Sequence, residues 1–268
     1  MIITSVRLRN YPEDQQHLFP WTLPLIKNFE QIEFTSLITF LVGDNGSGKS
    51  TFLEGLAARA EVPIAGSKRL EDDASLKAAD DLANYLSLRY KDKSHHGFFV
   101  RAEDFIGFAR KMKDEIAALD QEIEELKANW TGGDMKLAIG PIEGEKQALI
   151  KRYTADLEAM SHGEGFLTFF KSRITGRGLY LIDEPEAALS PQNQLVLLSL
   201  ILEKAKKTSS QFIIATHSPI IMACPGSSVL SFSDEKIEEV DYKETEHFKI
   251  TKGILDNPEG FLKELEAE

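Results

Sequence analysis

Short apolar segments alternate with longer amphipathic segments along this chain. Apolar or alternating segments predict strands, and segments with helical periodicity predict helices. The predicted strands are 2–9, the end of 31–42, 97–101, 178–182 and 211–216, with a hairpin of 229–233 and 236–242 across Asp234 and Glu235. The predicted helices are about 49–59, 76–90, 191–207 and the tail from about Lys252, which Asn257 and Pro258 interrupt, whereas residues 11–30 are expected to form a loop. Strands that alternate with helices predict an α/β fold with a mostly parallel central sheet.

A seven-residue apolar repeat marks residues 105–130. Most positions between the repeated ones are Lys, Asp, Glu or Gln, which predicts a helix with a narrow apolar seam, as in a short coiled coil. The sequence Thr-Gly-Gly-Asp at 131–134 is expected to end this helix, and a weaker helical pattern covers about 144–159. Together they predict a helical hairpin inserted at 105–155, which either packs on its own core or serves as a partner-binding arm. The seam consists of Ala109, Met112, Ile116, Leu119, Ile123, Leu126 and Trp130.

Composition narrows the class of protein. The chain has 268 residues, a formal net charge of −12 and one cysteine, Cys224, which cannot form an internal disulfide. No segment approaches the roughly 20 apolar residues of a membrane helix, and the amino terminus lacks the order of a signal peptide. We therefore expect a cytoplasmic protein without direct membrane insertion. The acidic balance argues against a general nucleic-acid binder but leaves room for a local basic groove.

A glycine-rich sequence at 43–51 follows a predicted buried strand and opens a predicted helix. This is the context in which the pattern G-x-x-x-x-G-K-[ST] forms a phosphate-binding loop, because backbone N–H groups and the helix N-terminus then face the phosphate oxygens. Lys49 is expected to reach the β- and γ-phosphates, and Ser50 to bind Mg²⁺. Alone, the motif does not distinguish a kinase from a GTPase or an ATPase. The predicted nucleotide-binding residues are Gly43, Asp44, Asn45, Gly46, Ser47, Gly48, Lys49, Ser50 and Thr51.

Two carboxylates and a histidine follow two further predicted buried strands. Asp183 directly follows the predicted strand 178–182, where its carboxylate can hold Mg²⁺ beside Ser50, and Glu184 can polarise an attacking water. His217 follows the strand 211–216, at the edge where α/β sheets place ligands, and a neutral imidazole there can bond the γ-phosphate or the water. His95 and His96 have no acidic or cysteine partner at metal spacing and are interpreted as surface residues.

The tetrapeptide Ser161-His162-Gly163-Glu164 precedes an apolar run, between the phosphate loop and Asp183. A serine and a glycine ahead of a helix offer a hydroxyl and N–H donors to an anion. They are equally the residues of an ordinary helix cap. The residues alone leave both interpretations open.

The order of these motifs resembles that of the ABC-type ATPase superfamily. Within it, the chain is similar to small stand-alone bacterial ATPases of the "AAA family ATPase" group, related to SMC- and RecF-like heads. The resemblance implies an ABC-type P-loop head over 1–104 and 156–268, with antiparallel N-terminal strands and the insertion at 105–155. It rests on VGDNGSGKST, GFFVRAEDF, SHGEGFL, GLYLIDEPEAALSP, QFIIATHSPI, ETEHF and NPEGFL.

The resemblance also implies a role for each matching residue. The segment with Ser161, Gly163 and Glu164 is in the signature position, where it would contact the γ-phosphate of an ATP held by a second copy. ATP and Mg²⁺ would therefore lie between two head-to-tail copies of an ATP-dependent homodimer. Asp183 matches the carboxylate that holds Mg²⁺. The catalytic set would be Glu184, the switch histidine His217 and Lys49.

Some positions depart from the pattern of the superfamily. His162 adds bulk where a glycine is usual. No glutamine follows the strand 97–101, and Arg101 or Glu103 holds its approximate place. Three aromatic residues are candidates for stacking on adenine, with core packing as the alternative: Tyr11, Phe19 and Trp21.

Three processes fit such an ATPase. The first is an ATP-switched dimer in DNA repair or phage defence, because the predicted hairpin lies where SMC- and RecF-like heads place coiled-coil arms. Its candidate partners are DNA and a protein bound by the hairpin. The second is the ATP-binding subunit of a membrane transporter, which needs a separate membrane partner. The third is a nucleotide-gated regulatory module with little turnover. A small-molecule kinase fits worst, because it leaves the segment 161–164 and His217 unexplained.

Overall fold

The computed structural model describes residues 1–9, 12–64, 74–94, 96–153, 162–233 and 236–267. Helices and strands alternate over most of this length. The strands are β1 (Ile3–Leu8), β2 (Gln31–Glu33), β3 (Ile38–Gly43), β4 (Leu86–Tyr90), β5 (Gly97–Arg101), β6 (Leu179–Asp183), β7 (Gln211–Ala215), β8 (Ser228–Phe232) and β9 (Ile237–Glu239). The helices are α1 (Pro24–Asn28), α2 (Lys49–Arg59), α3 (Ala74–Tyr85), α4 (Ala102–Asn129), α5 (Met135–Tyr153), α6 (His162–Arg173), α7 (Pro191–Thr208), α8 (Pro219–Met222), α9 (Glu246–Asp256) and α10 (Pro258–Ala267).

The strands of the described residues form two sheets. The larger has the order β5-β6-β7-β3-β8-β9, and its strands are parallel except β9, which is antiparallel to β8. The smaller has the order β2-β1-β4 and is antiparallel. The predicted α/β fold, with a mostly parallel sheet and antiparallel N-terminal strands, is confirmed.

Side chains of the central strands point alternately to the two faces of the larger sheet, as a pleated strand requires. One face packs with apolar residues of α6 and α7, and the other with α2 and the smaller sheet. Both faces are therefore covered, which explains why these strands read as continuous apolar runs. The first face includes Phe40, Tyr180 and Phe212, and the second Leu41, Leu181 and Ile213.

A buried glutamine connects the two sheets. Gln211, at the start of β7, is fully buried. Its Oε1 accepts hydrogen bonds from the N–H groups of Ile2 (2.7 Å) and Ile3 (2.8 Å), and its Nε2 donates to the Ile3 carbonyl at 2.9 Å. These bonds satisfy the buried amide and fix β1 against the parallel sheet.

Helices α4 and α5 contact each other as a helical hairpin. Ile116 and Ile123 of the predicted seam are buried, as is Ile139 of α5. Lys146 Nζ of α5 bonds Asp120 Oδ1 of α4 at 2.5 Å, at a partly buried position. The division into a head over 1–104 and 156–268 and an insertion at 105–155 stays a prediction. Within the described ranges, no helix is both long and apolar enough to cross a membrane.

Several predicted bounds were wrong. The predicted helix 76–90 ends at Tyr85, because residues 86–90 form β4 and pair with β1. The expected loop 11–30 contains α1 and a 3₁₀ turn at Glu13–Gln15. The weak helix expected at 144–159 begins earlier, at Met135, because the helix continues through Gly140 and Pro141; residues 154–159 lie outside the described ranges.

The predicted bounds of two elements in the carboxyl-terminal part were also wrong. The strand predicted over 236–242 is shorter, since β9 covers Ile237–Glu239 and a 3₁₀ turn occupies Tyr242–Glu244. The predicted turn residues Asp234 and Glu235 lie outside the described residues. The tail helix begins at Glu246 rather than near Lys252, because Thr245 caps it, and the predicted break at Asn257 is confirmed.

Candidate functional site

The glycine-rich loop connects β3 to α2 at the carboxyl end of the parallel sheet. Gly43 (φ +150°), Gly46 (φ +82°) and Gly48 (φ +94°) have backbone angles that residues with a side chain rarely adopt. Gly48 immediately precedes α2, so the first N–H groups of this 11-residue helix face the loop. Such a helix N-terminus is a ready site for an anion such as a phosphate.

Lys49 lies in the centre of this loop and is only 4 % exposed. Its Nζ donates to the carbonyl oxygens of Gly43 (2.8 Å) and Asp44 (2.9 Å) and to Ser47 Oγ (3.4 Å). Burial lowers the pKa of Lys49, while the carboxylate of Glu184 has the opposite effect. The loop thus holds the ammonium group in place through its own carbonyl groups.

Side-chain oxygen atoms of Ser50 and Asp183 lie within hydrogen-bond distance of each other. Ser50 Oγ, in the first turn of α2, donates to Asp183 Oδ1, at the end of β6, over 3.2 Å. Adjacent oxygen ligands of an octahedral Mg²⁺ with bonds of about 2.1 Å lie about 3.0 Å apart. This pair therefore fits Mg²⁺ as two neighbouring ligands. Burial raises the pKa of Asp183, and the hydrogen bond from Ser50 lowers it.

Arg101 ends β5, next to Asp183 in the parallel register. Its Nε lies 3.4 Å from Asp183 Oδ2, and its Nη2 forms an ion pair with Glu54 of α2. Glu54 is 7 % exposed and Asp183 is 2 % exposed, so the guanidinium group lies between two buried carboxylates. Arg101 and Glu103 are the candidates for the position of the glutamine that is usual after this strand, and Arg101 reaches the site. The side chain of Glu103 lies outside the described residues.

Glu184 follows β6 and has a left-handed backbone, with φ of +48° and ψ of +53°. Its N–H donates to the Ala215 carbonyl at the end of β7, over 3.0 Å. Its Oε1 lies 3.5 Å from Nε2 of His217, which follows β7 by two residues. An observed left-handed residue other than glycine is common at functional sites, where the surroundings fix it.

Glu186 joins the two loops that carry Glu184 and His217. Its Oε1 accepts from the His217 N–H (2.5 Å) and its Oε2 from Thr216 Oγ1 (2.8 Å). Burial raises the pKa of Glu186, and the hydrogen bond from His217 has the opposite effect. No local sequence pattern marks Glu186, because its hydrogen-bond partners follow a different strand.

His247, the second residue of α9, also reaches the site. Its Nε2 lies 2.7 Å from Nδ1 of His217, and the two rings are tilted by 60° with centroids 4.7 Å apart. Burial, and next the charge of Lys49, lower the pKa of His217. His247 belongs to the segment ETEHF, which is one of the stretches that resemble the ATPase family, but the sequence alone indicates no role for this histidine.

A cavity of about 170 Å³ opens onto the phosphate loop. It brings together Glu184, residues of the loop, and Phe19, which is 54 % exposed. Trp21, in contrast, is 1 % exposed and packs against Tyr85, so it belongs to the core. Tyr11 lies outside the described residues. The cavity is lined by Phe19, Leu23, Asn45, Gly46, Gly48, Lys49, Ser50, Thr51 and Glu184.

The predicted signature is described only in part. Ser161 lies outside the described residues. Residues 162–164 form the start of α6, and their side chains are also outside the description. The roles of Ser161, Gly163 and Glu164 stay predictions.

The strand-loop-helix geometry at 38–59, with Ser50 against Asp183, defines the class of nucleoside-triphosphate-binding P-loop proteins. Two family models match parts of the chain: an AAA ATPase domain over residues 147–222 and an AAA domain over residues 21–58. Together they include the phosphate loop, the Asp183–Glu184 pair and His217.

Two relatives extend this comparison. The chain is 26 % identical over 237 residues to ABC transporter I family member 20 of Arabidopsis thaliana, covering 77 % of this chain and 71 % of the relative. It is 28 % identical over 178 residues to a Methanosarcina acetivorans protein with a provisional assignment as an ABC transporter ATP-binding protein, covering 66 % and 62 %. The chain thus spans less than two thirds of the second relative.

Solved structures with distant likeness include an ATP-binding cassette of an ABC transporter in its ADP conformation, with 16 % identity, a TM-score of 0.47 and coverage of 96 % and 95 %. They also include the Smc head domain of Pyrococcus furiosus, with 14 % identity, a TM-score of 0.45 and coverage of 95 % and 99 %.

The site motifs and the matching sequences identify the chain as an ABC-type P-loop ATPase, which binds ATP.

Proposed function

We propose that the chain hydrolyses ATP in a Mg²⁺-dependent reaction, at a site that a second copy completes in a head-to-tail pair. The supporting observation is the convergence of Lys49, the Ser50–Asp183 pair, Glu184 and His217 at one edge of the parallel sheet. These groups lie at the start of α2, at the end of β6 and in the loops that follow β6 and β7. A chance acidic turn would not bring a carboxylate and an imidazole together beside a phosphate loop.

Each group has its own role in the proposed hydrolysis of ATP. Lys49 and the N-terminus of α2 bind the β- and γ-phosphates. Ser50 and Asp183 hold Mg²⁺, which, when bound, neutralises phosphate charge and orients the phosphate oxygens. Glu184 accepts a proton from the attacking water. His217 donates from its ring to the γ-phosphate or to Glu184.

The second copy supplies the signature. Ser161, Gly163 and Glu164 precede or begin α6, where a hydroxyl and backbone N–H groups can bind an anion held by the partner. Exposed Phe19, at the mouth of the cavity, is the candidate for stacking on adenine. The resulting head-to-tail pair holds ATP between its two copies.

The process that ATP hydrolysis would drive is best described as membrane transport. The names of both curated relatives support the ATP-binding subunit of a membrane transporter over DNA repair or phage defence. The absence of a membrane-length helix among the described residues is compatible with this role if a separate subunit spans the membrane. A nucleotide-gated regulator with little turnover is the remaining alternative.

The Glu184→Gln variant tests the shared site. We expect it to bind ATP, to lower kcat by about 100-fold or more because the general base is lost, and to form a dimer with Mg-ATP in size-exclusion chromatography with light scattering. Lys49→Ala is the matched control, which should lose nucleotide binding and remain a monomer. A Glu184→Gln protein that binds ATP yet stays monomeric would contradict the shared site. A wild-type protein without ATPase activity would contradict hydrolysis.

A further inference from the structure

We propose that His247 is a positioning residue for His217. Its Nε2–H donates a hydrogen bond to His217 Nδ1 and thereby fixes His217 as the tautomer whose proton is on Nε2, facing Glu184. The inference rests on the proposed function only in assigning His217 a role in hydrolysis. The tautomer itself is a property of the protein that can be measured without turnover.

The geometry requires that the two rings share one proton. The 2.7 Å between His217 Nδ1 and His247 Nε2 is a hydrogen-bond distance, so one nitrogen donates and the other accepts. The ring tilt of 60° suits an in-plane bond between nitrogens better than stacking. The bond can run in either direction, and each direction corresponds to one tautomer of His217.

The surroundings of His217 Nε2 decide between these assignments. This nitrogen is buried, makes no hydrogen bond to the described residues, and lies 3.5 Å from Glu184 Oε1. If His217 carried its proton on Nδ1, the Nε2 lone pair would face a carboxylate, which is repulsive. With the proton on Nε2, an N–H faces the carboxylate, and His217 Nδ1 must then accept from His247.

The burial of His217 supports the neutral form of its ring. Burial and the nearby Lys49 ammonium group lower its pKa, so a doubly protonated ring is disfavoured. A neutral ring has one proton, and its position is therefore set by the hydrogen bond made at the other nitrogen.

The fold holds His247 in place. Thr245 caps α9, because its Oγ1 accepts from the Phe248 N–H at 3.4 Å and bonds the Tyr242 carbonyl at 2.6 Å. The same Oγ1 lies 3.8 Å from Met222 Sδ in α8, the helix that begins two residues after His217. His217 lies just before α8 and His247 lies in the first turn of α9, and the packing of these two helices limits the relative motion of the histidines.

The test uses wild type and three variants of the full chain. His247→Phe keeps a ring but removes the donor, His247→Gln restores an N–H donor near the Nε2 position, and Lys249→Gln is an exposed control in the same helix. We expect His247→Phe to lower kcat about 10-fold or more with KM changed less than about two-fold, as for other residues that orient a functional histidine. We expect His247→Gln to recover much of the rate and Lys249→Gln to match wild type.

A ¹⁵N NMR measurement of the histidine rings, with His217 assigned by its loss in His217→Gln, provides the second readout. We expect a protonated Nε2 and an unprotonated Nδ1 in wild type and in His247→Gln, and mixed tautomers in His247→Phe. A protonated Nδ1 in wild type, or an unchanged kcat in His247→Phe, would overturn the inference. A wild type without ATPase activity but with the expected tautomer would overturn only the proposed hydrolysis.

Discussion

At the scale of single residues, the phosphate loop depends on backbone angles that glycine adopts without strain. Gly43 has φ of +150°, and a Cβ atom at this position would lie 2.3 Å from the Phe232 carbonyl oxygen in β8. The atom in the way is backbone of the neighbouring strand, so it cannot rotate aside. The first glycine of the loop is thus required by the close approach of β8 as well as by its own backbone angle.

We predict that Gly43→Ala lowers the free energy of unfolding by at least about 1–3 kcal/mol, the range for a residue forced into a sparsely populated backbone region. Urea unfolding measures this change. Gly140→Ala is the control, because Gly140 lies in α5 with open space at its Cβ, and should stabilise by up to about 1 kcal/mol. Equal stability of Gly43→Ala and wild type would show that the loop is free to relax.

Single residues also show what the sequence could predict. Lys49, Ser50 and Asp183 can be predicted as candidate site residues from the sequence, because each has a fixed place relative to its own strand or helix. Glu186 was missed because its bonds to the 216–217 segment form only when β6 and β7 lie side by side. Proximity of this kind depends on tertiary structure, which a local pattern does not encode.

At the scale of elements, Arg101 connects β5, α2 and β6. Its guanidinium group contacts Glu54 and Asp183, which are both buried. A buried carboxylate without a cation is costly. The end of β5 therefore depends on charge as well as on apolar packing.

We predict that Arg101→Met destabilises the protein by about 3–5 kcal/mol near neutral pH, measured by denaturant unfolding without Mg²⁺, because two buried carboxylates then lack this cation. The loss should shrink as the pH falls, since a protonated carboxyl group does not need the cation. Adding Glu54→Gln to Arg101→Met removes one of the two charges and should recover part of the stability. A destabilisation independent of pH would point to lost packing instead.

Element bounds were predicted well where the signal is local. The helix at 49–59 and the strand at 97–101 agree with α2 and β5 residue for residue. The strand at 86–90 was missed, because its partner β1 lies about eighty residues away and its own sequence continues a helical pattern. Pairing with β1 outweighs this local preference.

At the scale of the whole molecule, the net charge of −12 bears on the partner. Binding to DNA relies on clustered cations that displace counterions from phosphates. The described basic residues near the site, Lys49 and Arg101, are bonded to carbonyl groups or carboxylates of the chain itself. We therefore favour a protein partner over DNA.

We predict that duplex DNA neither binds the protein nor stimulates its ATPase activity, even at about 50 mM salt, where phosphate contacts are strongest. Fluorescence anisotropy with and without Mg-ATP measures binding, and a matched titration measures ATPase activity. ATP-dependent binding that weakens steeply with added salt would support the DNA-repair alternative instead.

The hydrogen bond from the His217 N–H to Glu186 offers a way to measure opening of the site. The Glu186 carboxylate accepts the His217 N–H, so this amide hydrogen exchanges with solvent only when the loops after β6 and β7 separate. The exchange rate of one backbone proton would thus follow opening of the candidate site in solution. Because β6 and β7 are adjacent strands of the central sheet, that proton reports on the ATPase core.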